Sequence, residues 1–283
     1  MSTSLIAAYQ FYTTKVYAYC GIFLLGTGII GEIINLIVFC TLNIFIKNSS
    51  IFYLRLMSIS NLGQIIVAVL IRTFNNGFQI NLLRSSVGCK LREYFVHYFA
   101  LLSFTFICLA TISQFYSLKR TEQDEIRQIP YVRRVSLIVL IFWLLHNLPF
   151  LFYVEMVSGS CRNLSPMFST YGNYFIWPVL LGCLPVFLMS LFSLLAFYNV
   201  RKFSSQQRNI IRLSHDRQIT AMVLVYVLFM VILCTPCIAF SIYQLTPPYI
   251  DAEITARNRL IYGILSFFYY ESYAVSYNFV SIN

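Results

Sequence analysis

The chain has 283 residues, of which 59% are apolar and 11% charged, with 26 Phe, 21 Tyr and a mean hydropathy of +0.72. A soluble chain carries roughly a quarter charged residues, so these charges are too few to cover a water-facing surface; the same shortage excludes a disordered chain. The net charge of +10 is spread along loops with no basic stripe interleaved with aromatics, which reads as charge beside anionic lipid and excludes nucleic acid as a partner.

In chain order, seven stretches between charge clusters reach the ~20 mostly apolar residues that a helix needs to cross a bilayer. They run roughly over 17–45, 52–74, 93–117, 133–155, 172–199, 218–243 and 260–282. The separators are short and polar, and no internal repeat is visible. Residues 1–283 are therefore expected to form one all-α domain, a bundle of seven transmembrane helices. The seventh stretch is the weakest, since it holds Glu271 and many Ser and Tyr. Outer-membrane strands would alternate with period two in pieces of about ten residues. These runs do not. Met1–Thr14 has no Lys or Arg and no small-residue cleavage site, so the first span is expected to act as its own signal anchor.

Lys and Arg near the span ends set the orientation. Twelve fall in the loops after spans one, three and five (Lys47, Arg55, Lys119, Arg120, Arg127, Arg133, Arg134, Arg201, Lys202, Arg208, Arg212 and Arg217), against eight on the other side. This places the N-terminus outside and the C-terminus inside a multi-pass plasma-membrane protein. The sequon Asn163-Leu164-Ser165 then faces outward.

Several chemistries drop out on residue type. A retinal protein needs a lysine within a span, but Lys15, Lys47, Lys90, Lys119 and Lys202 lie in loops or at span ends. His97, His146 and His215 lie in separate spans or loops with no metalloprotease spacing, so neither an enzyme nor a metal or other cofactor is expected. A transporter places charges and broken helices at mid-depth, in matching halves. Only Glu32 and Glu271 qualify and no halves match, so a transporter stays as the alternative. Pro185 and Pro236 each remove a backbone hydrogen bond inside a span and are candidate pivots. Cys89, just before span three, and Cys161, in the loop after span four, both face the oxidising side, as a disulfide or as two free thiols.

Gly31-Glu32-Ile33-Ile34-Asn35, Met57-Ser58-Ile59-Ser60-Asn61-Leu62, Leu109-Ala110-Thr111-Ile112-Ser113-Gln114-Phe115, Trp143, Pro185 and Cys234-Thr235-Pro236 stand in a spacing that resembles the rhodopsin-like G-protein-coupled receptors. The resemblance covers nearly the whole chain. It implies a Cys89–Cys161 disulfide, an extracellular peptide or small-molecule ligand, and a heterotrimeric G protein as intracellular partner. The departures are specific. Ser113, Gln114 and Phe115 replace the Asp-Arg-Tyr triplet expected to face the G protein, Cys234 replaces a tryptophan, and Ser276-Tyr277-Asn278-Phe279 lacks the Asn-Pro-x-x-Tyr pattern. A receptor that couples weakly, or no longer couples, is the resulting expectation.

As a receptor, the chain should open its ligand site outward between spans three, five, six and seven. Glu93 and His97, one turn apart, together with Glu271, Tyr174, Trp177, Tyr269 and Tyr270 are the candidate ligand residues. Two acids and a histidine suit a cationic or amide-rich ligand. Glu32, Asn35 and Asn61 are the candidate polar centre. The family offers an amide on span one and an acid on span two; here the two are exchanged, so Glu32 and Asn61 are expected to touch.

Overall fold

A computed structural model describes residues 2–41, 48–83, 85–117, 122–157, 160–203, 210–245 and 251–274. The first helix, α1 (Ser2–Thr41), starts well before the expected span and extends for about 60 Å at 1.5 Å per residue, roughly twice a bilayer core. Asn48 caps the next helix, its side chain accepting from the backbone N–H groups of Ser50 and Ile51 at 2.8 and 3.4 Å. That helix is α2 (Ser49–Gln64), and it continues through two π-helical stretches, Ile65–Leu70 and Thr73–Gly77. Then come α3 (Ser86–Ser117) and α4 (Glu122–His146). The chain breaks at Asn147, because Pro149 supplies no N–H to the helix, and a short α5 (Leu148–Tyr153) follows.

The sequence offered no strand, yet β1 (Val154–Val157) and β2 (Ser160–Asn163) form an antiparallel hairpin with Met156 opposite Cys161. Ser165 then caps α6 (Pro166–Tyr171), which runs without a break through a π-helical stretch, Gly172–Cys183, into α7 (Leu184–Phe203). The last two helices are α8 (Ile210–Tyr243) and α9 (Ala252–Glu271). The ends of the first and seventh expected spans (42–45 and 275–282), the segment 276–279, and Lys47, Lys119, Arg120 and Arg208 lie outside the described residues.

Among the described residues, six helices are long and apolar enough to cross a membrane, which makes this a multi-pass helical membrane protein. The described part of the seventh expected span does not reach that length. Helix α9 carries Glu253, Arg257, Arg259 and Glu271, and the uncharged run between them, Leu260–Tyr270, is too brief for a bilayer core. It nonetheless packs between α1 and α8 and closes a ring in which α3, touching α2, α4, α7 and α8, is central. The polarity is reversed from that of a soluble bundle. Ile138, Phe142, Phe187 and Leu194 are more than half exposed, while Glu32, Asn35, Ser58, Asn61 and Ser103 show no exposed surface at all.

Small residues bring α1 and α2 together. A Cβ on Gly21 would sit 2.1 Å from the Thr73 hydroxyl, and one on Gly77 would sit 2.6 Å from the backbone nitrogen of Ala18. Close backbone approach of this kind drives helix association where lipid offers no hydrophobic contrast.

Candidate functional site

At one end of the bundle, Cys89 in the first turn of α3 is bonded to Cys161 in β2, with Cα atoms 5.6 Å apart. The bridge implied by the resemblance is therefore present. It holds the hairpin over this end of α3, helped by a half-exposed Lys90–Glu155 pair at 3.7 Å that contributes little by itself.

The candidate ligand residues divide into groups. Glu93 is already paired with Arg92 at 2.5 Å, so this acid has a cation partner within the chain. His97, one turn deeper, is buried; its Nδ1 lies 2.8 Å from the Glu93 carbonyl and its ring stacks on Phe150 at 4.1 Å. From His97 a continuous aromatic run descends into the bundle. Trp177 stands edge-on to His97 at 5.7 Å, Tyr269 lies 6.1 Å from Trp177, and the Tyr269 and Tyr273 hydroxyls are 2.9 Å apart. His97, Trp177 and Tyr269 are thus brought together, with Tyr270 against Tyr269 at 5.5 Å. Tyr174 is not part of this group: it is 59% exposed on the outer face of its helix. Glu271 ends α9 with Oε2 buried and without a hydrogen-bond partner, and no hydrogen bond joins it to Glu93 or His97.

The second group is the polar centre. Asn61 on α2 donates to Glu32 Oε1 on α1 at 2.9 Å and accepts from the Ser103 hydroxyl on α3 at 2.5 Å. The expected acid–amide contact is there, and one carboxamide ties three helices because it donates and accepts at once. Asn35, one turn from Glu32, is fully buried beside it. Tyr226 on α8 donates to the Ser272 carbonyl at 3.3 Å. Ser272 in turn donates to the Tyr269 carbonyl at 2.6 Å and accepts from the Cys234 thiol at 3.6 Å. Ser103, Tyr226 and Ser272 were not singled out in the sequence. No periodicity marks a buried hydroxyl in a helix already rich in Ser and Tyr.

At the opposite end of α3, the residues expected to face a G protein are turned inward. Gln114 is 1% exposed and Ser113 is buried, while Phe115 packs on Phe192 with ring centroids 6.0 Å apart. The two candidate pivots differ. Pro236 lies inside α8, where the Thr235 hydroxyl donates to the Val231 carbonyl at 2.6 Å, next to the Ile232 carbonyl that the proline leaves without its helical N–H. Pro185 directly follows the long π-helical stretch that contains Pro178, and its carbonyl accepts from the Cys108 thiol at 3.9 Å. Among the described residues, no group of three or more metal-ligating side chains occurs.

One charged residue inside the bundle was not singled out in the sequence: Arg72, within the expected span two, enters there only among the eight basic residues of the outer side. It lies in the helix, between the two π-helical stretches, with its guanidinium 5.2 Å from the Tyr270 ring and 5.7 Å from the Tyr262 ring. No family model matches this chain, and no curated protein is similar to it in sequence.

Proposed function

We propose that the chain is a seven-span plasma-membrane receptor, a divergent relative of the rhodopsin-like G-protein-coupled receptors, with the hairpin end outside and the turned-in end of α3 facing the cytosol. In this reading α9 is the seventh span, shortened by its charges. The ligand enters at the hairpin end, beneath the loop held by Cys89 and Cys161. What supports the reading best is the unbroken line of contacts from His97 through Trp177, Tyr269 and Ser272 to Tyr226, which leads from that end into the bundle, where a polar centre fastens three helices. A ligand that rearranges Trp177 or Tyr269 alters the seating of α8 against α2 and α3. Signalling is then a population shift, for which differential binding of about 1–3 kcal/mol between two bundle states suffices.

The inward placement of Gln114 fits a resting state. To meet a G protein, the cytosolic end of α3 has to be uncovered, and Gln114 then offers hydrogen bonds without the charge and planar fork of an arginine. Gln114→Arg should raise basal nucleotide exchange when the purified protein is reconstituted with a panel of heterotrimeric G proteins. If neither wild type nor Gln114→Arg stimulates any member of the panel, G-protein signalling is lost from the proposal. A transporter remains the second reading, favoured by the buried Glu32 and the part-buried Arg72 beside irregular helix. Radiolabelled solute uptake into proteoliposomes decides it.

A further inference from the structure

Arg72 lines a cleft of about 30 Å³ between α1, α2 and α9, together with Tyr17, Thr73, Gly263, Ser266 and Tyr270. A water molecule needs roughly 10–15 Å³ of such space, so the cleft holds about two water-sized groups. The guanidinium carries five N–H donors. The faces of Tyr262 and Tyr270 lie within cation–π range, but Nη1 is buried with no hydrogen-bond partner. Among the described residues no carboxylate lies within 4.0 Å of Arg72, whereas the neighbouring Arg92 has Glu93. A part-buried cation with one donor shut off from water and no counter-charge is costly unless something supplies that charge.

We propose that this cleft is a carboxylate-binding site and that Arg72 is the residue that recognises the ligand. Two water-sized groups match the two oxygens of a carboxylate. The planar fork of arginine is complementary to a carboxylate through paired N–H···O bonds. Val16, Leu24, Val69 and Phe267 are also in the lining, so the body that follows the carboxylate is apolar. Such an acid comes either from water, as a short free acid, or from the bilayer, as a fatty acid. The recognition chemistry is the same. This site is separate from the His97–Trp177 group and does not depend on whether the chain signals.

The test is thermal denaturation of the purified full chain in maltoside micelles, which contain no phosphate or carboxylate. Hexanoate and oleate are titrated against hexanamide and oleamide, which keep shape and lose charge. A rise in Tm with hexanoate and not hexanamide assigns an aqueous acid; a rise with oleate alone assigns one borne by the membrane. Arg72→Gln should weaken the response at least tenfold in concentration, the loss of about one charged hydrogen bond. If Arg72→Gln does not fold, Gly263→Ala carries the same test. A Cβ there meets the Tyr17 ring at an ordinary 3.5 Å, so the helix tolerates it while the methyl fills the cleft. It should weaken the acid response several-fold without lowering the unliganded Tm. No acid-specific shift in the wild type, or an undiminished shift in the folded variants, overturns the proposal. Neither result bears on nucleotide exchange, so this proposal and the receptor reading fail separately.

Discussion

Asn61 and Arg72 stand on the same helix, and both hold polar atoms away from water, but they are satisfied in opposite ways. Asn61 spends its donor on Glu32 and its acceptor on Ser103, so the protein closes the site with its own side chains. Arg72 has only two ring faces for a full positive charge, with Nη1 left over. In a medium without water, the first arrangement is a fastening and the second is an invitation. A buried polar side chain in a membrane bundle is therefore not functional by its burial alone. The decisive question is whether its hydrogen-bonding capacity is already used.

The largest expected effect concerns the frame that both sites share. Cys161→Ser releases the hairpin from α3 and restores a loop spanning 72 residues to the unfolded chain, which should cost about 4 kcal/mol. Thermal melts with and without reductant measure it, and alkylation mass spectrometry of the unreduced protein should find both thiols blocked. Free thiols at both positions would mean the bridge does not form.

Next comes the direct contrast between the two sites. Asn61→Leu strands the Glu32 carboxyl and the Ser103 hydroxyl, at a cost of about 3 kcal/mol. Arg72→Met removes an unpaired charge while keeping its aliphatic volume, and should be neutral or stabilising. If Arg72→Met destabilises the protein as much as Asn61→Leu in the same melts, Arg72 is as well partnered as Asn61 and the comparison fails. A sharper version exchanges the groups. Glu32→Asn alone should lose folded surface expression, and adding Asn61→Asp should restore it; a double variant no better than the single shows that the two side chains do not act as a pair.

How much of this was legible in the sequence follows from what each signal depends on. The helical membrane class follows from composition and run length, which report on solvent alone. The Glu32–Asn61 contact was readable because an acid and an amide at one depth in lipid have few other partners. The hairpin was not, since Val154-Glu155-Met156-Val157 continues an apolar run and only the cysteine bridge gives it an end. Arg72 was passed over for a related reason. Positive charge near a span end counts as topology, and nothing linear shows that Tyr262 and Tyr270, nearly two hundred residues later, surround it. Tyr174 failed on geometry: it lies three residues from Trp177, close to one helical turn, yet the π-helical backbone there shifts the register and leaves it on the exposed face.

The smallest predicted effect tests how far the closed site reaches. Tyr226 donates to the Ser272 carbonyl at 3.3 Å, a hydrogen bond between α8 and the residue that follows α9. Tyr226→Phe keeps the ring and its packing and deletes one oxygen. Because the carbonyl keeps a second lone pair for other donors, the loss should be only about 1 kcal/mol in a thermal melt. Ser103→Ala, which removes a hydroxyl bonded to Asn61, should cost a similar amount. The informative quantity is the pair. If α8 and the polar centre act as one unit, the double variant departs from the sum of the single variants by at least about 0.5 kcal/mol. Strict additivity would mean that α8 packs beside the polar centre without being coupled to it, and the line of contacts from His97 would then end at Tyr226.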